Sequence, residues 1–277
     1  MSQPIAPVAP PATARTVNSV DGTAIAVEHV GQGPALVLVD GALCHRAMGP
    51  MAEIAMHLAS RFTVYRYDRR GRGESGGTAP FAIERELEDL EAVIRAAGGS
   101  AHLFGVSSGA VLALEAANRG LPVRKLGLFE APFIVDGTRA PMTDDFLPRV
   151  EAHLAEGRPG EAVKMFLTFV GMPGFMCFVM SLTPMWRKLQ AMAPTLPADL
   201  KLVIPFQQGR PLPQDRWQTV AVPTLVMDGG KSPAWMRNGA RALADAIPGA
   251  TYQSLPGQTH MVKAAVLAPA LTAFLEA

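Results

Sequence analysis

Cysteine is nearly absent, with Cys44 and Cys177 the only two in 277 residues. Two distant thiols build neither a disulfide framework nor a metal-ligand spacing, so no metal site is expected. An excess of one charge is missing too: 25 Lys and Arg stand against 24 Asp and Glu, with no block of like charges. That balance argues against nucleic-acid binding, because phosphate backbones are met by basic patches. The first fourteen residues, MSQPIAPVAPPATA, hold no basic residue, and Pro4, Pro7, Pro10 and Pro11 interrupt them. An export signal needs a basic start and an unbroken apolar core, so residues 1–14 read as a loose tail and a cytoplasmic location is expected.

Long apolar runs are scarce. The stretch from Phe166 to Trp186, FLTFVGMPGFMCFVMSLTPMW, carries no charge and is long enough to cross a bilayer. Pro173 and Pro184, with Gly171 and Gly174, cut it into pieces whose backbone groups would go unpaired in lipid. It therefore reads as a lid over a site, without stable membrane insertion.

What remains is 49% apolar and 18% charged, a balance that suits a globular enzyme. Strand-like and helix-like runs alternate. TARTVNSV and AIAVEHV flank the turn DGT and predict a hairpin. ALVLVD (35–40) is a continuous apolar strand of the kind buried on both faces, and FTVYRYD (62–68) follows a helix near 48–60. Ile83, Leu87, Leu90 and Ile94 share one face of the next helix. HLFGVS (102–107), an amphipathic helix from Ser108, and KLGLFE (125–130) come next. From about 137 to 215 the pattern is helical only. Alternation then resumes with VPTLVMD (222–228), a helix near 233–247, TYQSL (251–255) and a last helix near 261–276. The α/β class follows: a mostly parallel sheet with helices on both faces, its core formed by 15–136 and 216–277. Residues 137–215 form a helical cap inserted after the sixth strand.

Gly105-Val106-Ser107-Ser108-Gly109 matches G-x-S-x-G and joins a strand to a helix. Small flanking residues let such a turn tighten until the central serine projects from the carboxyl edge of the sheet, where open α/β sheets bind ligands. A serine hydroxyl needs an adjacent base. His260, in LPGQTHMV between the last strand and the final helix, is best placed among the six histidines. His29, His57 and His153 lie in a hairpin or in helices without a partner pattern.

With these features the chain resembles the α/β-hydrolase family from about Val17 onward. The resemblance implies the order nucleophile, acid, histidine. It also implies an oxyanion hole made by the backbone N–H of Ser108 and by one from the loop after the third strand. That loop reads VDGALCH, with Asp40-Gly41 where relatives have His-Gly, and makes Ala42 the second donor. Asp40 reads as a carboxylate held within its loop as readily as a catalytic one. YDRRGRGES (67–75) looks like the family's loop after the fourth strand, with Asp68 and its arginines holding it together. Leu43 and His45 border the expected oxyanion loop and are candidate substrate contacts.

The acid has two candidates. The family's usual position after the seventh strand holds Ser232, while Asp228 lies four residues earlier. Relatives such as haloalkane dehalogenases carry a glutamate after the sixth strand, and Glu130 stands there. Either carboxylate could orient an imidazole. Glu130 is preferred, because Asp228 would need an unusually short approach, and Asp228 stays as the alternative.

The cap is rich in methionine and phenylalanine, and Met172, Met176 and Met180 are candidate pocket residues for an apolar ligand. The resulting expectation is a serine esterase or lactonase acting on a small apolar substrate without a cofactor, and no oligomeric state is implied. C–C bond hydrolysis, amide cleavage and cofactor-free perhydrolysis share the same scaffold. A binding module without catalysis is disfavoured by the intact nucleophile and base. Dehalogenase or epoxide hydrolase chemistry is disfavoured because those relatives place aspartate where Ser107 stands.

Overall fold

The computed structural model describes residues 13–77 and 81–277. Among them one sheet is formed by β1 (Thr13–Asn18), β2 (Ala24–Val30), β3 (Ala35–Val39), β4 (Thr63–Tyr67), β5 (Ala101–Val106), β6 (Val123–Phe129), β7 (Thr224–Gly229) and β8 (Thr251–Leu255). Their spatial order is β1-β2-β4-β3-β5-β6-β7-β8. The hairpin β1–β2 is antiparallel and β2 joins β4 antiparallel, while every pairing from β4 to β8 is parallel. Because β1 begins at Thr13, Thr13 and Ala14 belong to the sheet and not to the expected tail. The rest of that tail lies outside the described residues.

Side-chain alternation explains why β3 is apolar throughout. Leu36 and Leu38 of β3 join a cluster with α1 (Met51–Leu58) on one face of the sheet, whereas Val37 and Val39 join a second cluster on the other. That second face is covered by α2 (Ile83–Ala96) and α3 (Ser108–Asn118). A strand buried on both faces has no polar side to alternate with.

Helix α3 corrects the amphipathic reading. Every residue from Ser108 to Ala117 is buried. Its one charged side chain, Glu115, accepts from Arg216 Nη2 at 3.1 Å and from Trp217 Nε1 at 3.3 Å. The outer face that would meet solvent is roofed by the inserted segment.

That segment runs between β6 and β7 as α4 (Phe146–Ala155), α5 (Pro159–Phe169), α6 (Gly174–Ser181), α7 (Pro184–Met192) and α8 (Leu196–Val203). It has its own apolar cluster, including Phe146, Val150, Val163, Leu189 and Leu196, and Leu43 of the core joins it. Prolines open α5, α7 and α8 at their first turns, where a missing N–H costs no hydrogen bond. The uncharged stretch is thus split among α5, α6 and α7, and no helix among the described residues is long and apolar enough to cross a membrane. The chain closes with α9 (Ala234–Ala246) and α10 (Ala264–Glu276), which pack on opposite faces of the sheet.

Candidate active site

Three non-glycine residues among those described have positive φ: Leu43 at 56°, Ser107 at 57° and Glu130 at 48°. Such conformations cost of order 1–3 kcal/mol each and persist where the surroundings over-determine them. All three lie just past the carboxyl ends of strands, after β3, β5 and β6.

Ser107 sits between β5 and α3, and its strained backbone is imposed by close packing on both sides. A Cβ on Gly105 would lie 2.4 Å from Gly109 O, and one on Gly109 would lie 2.3 Å from Val39 O. Only glycine allows the strand, the helix and the end of β3 to approach so closely. Gly41 faces the same corner, where an added Cβ would lie 3.2 Å from Ser107 Cβ. The loop after β3 and Ser107 are therefore neighbours.

Val106 and Phe129 are paired across β5 and β6, and the Ser107 N–H donates to Phe129 O at 3.0 Å. Glu130 follows at once, fully buried. Its Oε2 accepts from His260 Nδ1 at 2.7 Å, and its Oε1 accepts from the Gly229 N–H at 2.7 Å. Gly229 also makes room for the histidine loop, because a Cβ there would lie 2.7 Å from Gln258 backbone. The Lys231 N–H then donates to Gln258 O at 2.8 Å and fastens the loop to the end of β7.

Asp228, the alternative acid, makes no bond to His260 among the described residues. It is buried, and it accepts from Tyr252 Oη at 2.5 Å and from Ser254 Oγ at 2.6 Å. Both donors belong to β8, so this carboxylate clips the edge strand to its neighbour. The register puts Asp228 opposite Ser254, inside the ladder, and its oxygens are already occupied. Ser232 is buried, and its hydroxyl has no partner among the described residues.

Ala42 follows Gly41, whose added Cβ would lie 3.2 Å from Ser107 Cβ, and Ser108 comes directly after Ser107. Ala42 is half-buried and Ser108 opens α3, with its hydroxyl turned toward the cap. No hydrogen bond joins Ser107 Oγ to His260 among the described residues, and the one side-chain bond of His260 goes to Glu130. Such contacts often tighten only with substrate in place.

Asp40 departs from the expectation that its loop would satisfy it. It is 3% exposed, and its Oδ1 has no partner among the described residues. Burial pushes its carboxyl up to about 7, against the pull of Arg72, Arg66 and Arg69. A carboxyl raised in this way favours the neutral folded form. Its contribution to stability is complete below the ordinary value of 3.8 and is lost as pH rises through about 7. Asp40→Asn should abolish that loss. Urea unfolding is expected to show the variant gaining on the parent by about 2–4 kcal/mol between pH 4 and pH 8. An offset independent of pH would mean that Asp40 is ionised in the folded state throughout.

The other expectations divide. Asp68 holds its loop as predicted, accepting from the Arg46 N–H at 2.7 Å and the Glu74 N–H at 2.9 Å. His45 is half-buried and accepts from the Ala47 N–H through Nδ1 at 3.3 Å. Met180 packs against the cap cluster that holds Leu43, but Met172 is half-buried outside it and Met176 is 46% exposed. The physical reason is the shape of α6. Cys177 and Met180, three apart, turn inward, which leaves Phe175, Met176, Phe178 and Val179 on the outer side. Sequence reasoning did not find Asp199 of α8, which is buried against Ser108 and two arginines of the loop after β4.

Comparisons with known proteins identify the family and the fold. A family model described as the alpha/beta hydrolase family matches residues 33–273. An alpha/beta hydrolase from Sphaerobacter thermophilus DSM 20745 is 50% identical over 94% of this chain and 100% of its own, with a TM-score of 0.86. The enol-lactonase from Burkholderia xenovorans LB400 shares the fold at 20% identity, covering 96% of this chain and 100% of its own, with a TM-score of 0.70. A carboxylesterase from Bacillus subtilis does so at 18% identity, covering 98% and 93%, with a TM-score of 0.68.

Proposed function

Because the chain belongs to the alpha/beta hydrolase family, we propose that it is a serine hydrolase cleaving an ester or lactone of a small apolar molecule. One observation carries the reading: a buried glutamate grips His260 Nδ1 at 2.7 Å, one register step from a serine held at a strained strand-to-helix corner. That arrangement prepares an imidazole whose free Nε2 can take a proton.

In this mechanism Ser107 Oγ attacks the substrate carbonyl while His260 Nε2 removes its proton. Glu130 holds the tautomer and stabilises the imidazolium. The carbonyl oxygen becomes an oxyanion and accepts from the N–H groups of Ala42 and Ser108. These fixed dipoles need no reorganisation as the charge develops. Collapse returns the proton through His260 to the leaving alkoxide and leaves an acyl-enzyme on Ser107. Water, deprotonated by His260, then releases the acid. The apolar cap cluster beside Leu43 and Ala42 supports an apolar acyl or alcohol group. A cytoplasmic setting and the absence of a cofactor remain part of the proposal.

Labelling tests it. An organophosphonate should modify the protein stoichiometrically, with the adduct on Ser107 in the peptide mass spectrum and parallel loss of p-nitrophenyl ester hydrolysis. An unlabelled protein that hydrolyses none of a series of acyl chain lengths and lactones would overturn the reading in favour of ligand capture without catalysis.

A further inference from the structure

Asp199 is a buried carboxylate that the mechanism above does not use. It comes from α8, in Leu-Pro-Ala-Asp-Leu-Lys-Leu-Val, and is 1% exposed. Its Oδ1 accepts from Ser108 Oγ at 2.8 Å and from Arg69 Nη1 at 2.7 Å, and its Oδ2 accepts from Arg72 Nη2 at 2.6 Å. The arginines reach onward. Arg72 Nη1 donates to Gly41 O at 2.7 Å, and Arg69 Nη1 donates to Asp40 O at 3.2 Å. Arg69 is closed from behind by Glu86, whose two oxygens accept from Nε at 2.5 Å and Nη2 at 2.7 Å.

The Gly41 carbonyl and the Ala42 amide belong to one planar peptide unit. A donor fixed on that carbonyl therefore fixes the direction of the Ala42 N–H, and it polarises the amide as well. The second branch fastens the side chain of Ser108, whose own N–H is the other oxyanion donor in the proposed mechanism. Both donors are thus tied to one carboxylate, and that carboxylate belongs to the cap. A strut that merely seated the cap would have no need to reach the oxyanion peptide. Buried ion pairs also add little net stability, because desolvation offsets their attraction. Burial alone would raise the Asp199 carboxyl, yet Arg69, Arg72 and Ser108 hold it below the ordinary range, so the carboxylate is kept charged.

We propose that Asp199 is a positioning residue which, through Arg72 and the Ser108 hydroxyl, aims the Ala42 and Ser108 amides at the oxyanion, so that transition-state stabilisation depends on the seating of the cap. The proposal rests on the serine-hydrolase reading, and its test separates the two.

Asp199→Asn, Arg72→Lys and Ser108→Ala would be made in the full chain. For the first two, kcat on p-nitrophenyl butyrate should fall roughly 10- to 100-fold, less than the 10²–10³ that follows outright loss of a donor. KM should stay within about two-fold, since the lost interaction operates in the transition state. Ser108→Ala keeps the backbone donor and should lose less, on the order of several-fold. Crystal structures of the variants should show the Gly41–Ala42 peptide rotated or split between two orientations. An unmoved peptide would overturn the proposal, as would a rise in KM with kcat kept, or a lower melting temperature with unchanged turnover in the folded protein. If Asp199→Asn does not fold, the other two variants decide by the same criteria. If the parent protein hydrolyses no ester and resists phosphonate, the serine-hydrolase reading falls, while the crystallographic comparison still reports whether Asp199 sets the loop.

Discussion

Glu130→Gln is expected to lower kcat by about 10⁴-fold while leaving KM nearly unchanged. The reason lies in the two partners of the carboxylate. Oε1 accepts from the Gly229 N–H, and Oε2 faces His260 Nδ1. A glutamine must place its amide oxygen toward Gly229, because a backbone N–H cannot accept. Its NH2 then points at Nδ1 and forces the ring proton onto Nε2, the nitrogen that must receive a proton from Ser107. The base is present but in the wrong tautomer. Asp228→Asn is the matched control. It disturbs the bonds from Tyr252 and Ser254 and should cost about 1–3 kcal/mol of stability, with kcat kept within a few-fold. Steady-state kinetics of both variants decides. Near-normal turnover in Glu130→Gln together with collapse in Asp228→Asn would reverse the assignment.

Gly109→Ala carries the largest expected effect on stability. Its new methyl would lie 2.3 Å from Val39 O and 2.5 Å from Asp40 O, and both are backbone atoms of a central strand and the loop that follows it. Neither can swing aside as a side-chain tip would. Helix α3 must move away from β3, which opens contacts throughout the most buried helix of the sheet face. We expect a loss of about 3 kcal/mol or more, a fall of roughly 6–12 °C in melting temperature for a chain of this size. Activity should fall as well, because the same displacement separates Ala42 from Ser108. Gly174→Ala is the control, since a Cβ there meets nothing within 4 Å. Equal melting temperatures for the two variants would show that the turn between β5 and α3 tolerates the shift.

Much of this architecture is legible in the sequence because the strands bury both faces. The runs ALVLVD, HLFGVS and VPTLVMD need no tertiary information to be read as central parallel strands; β3 falls within its run, β5 begins one residue before HLFGVS, and β7 ends one residue after VPTLVMD. Ser107 and His260 are equally accessible, since a glycine-flanked turn and a terminal histidine loop are local features. The acid is different. Asp228 and Glu130 both end strands, and what separates them is whether Tyr252 and Ser254 occupy the carboxylate, a matter of register with a distant strand. The all-round burial of α3 and the outward turn of Met176 share this origin, because each is decided by how the cap lies. Asp199 left one trace: a lone acid on the apolar helix of the cap, in a chain whose loop after β4 holds three arginines, Arg69, Arg70 and Arg72.

The three groups of the proposed mechanism do not share one local stability. Ser107 and Glu130 leave β5 and β6, which are flanked by strands on both sides, whereas His260 follows β8, paired only with β7. Its side chain is 37% exposed. Fluctuations that detach an outer strand cost far less free energy than opening the centre of a sheet. The amide protons of β8 should therefore exchange, and the histidine lose its grip on Glu130, in excursions that leave the rest of the protein folded. Under mild heating or low denaturant, chemical competence would then fade ahead of any change in circular dichroism. Durability of the proposed catalyst would be governed by β8 and the chain that follows it, not by the stability of the domain as a whole.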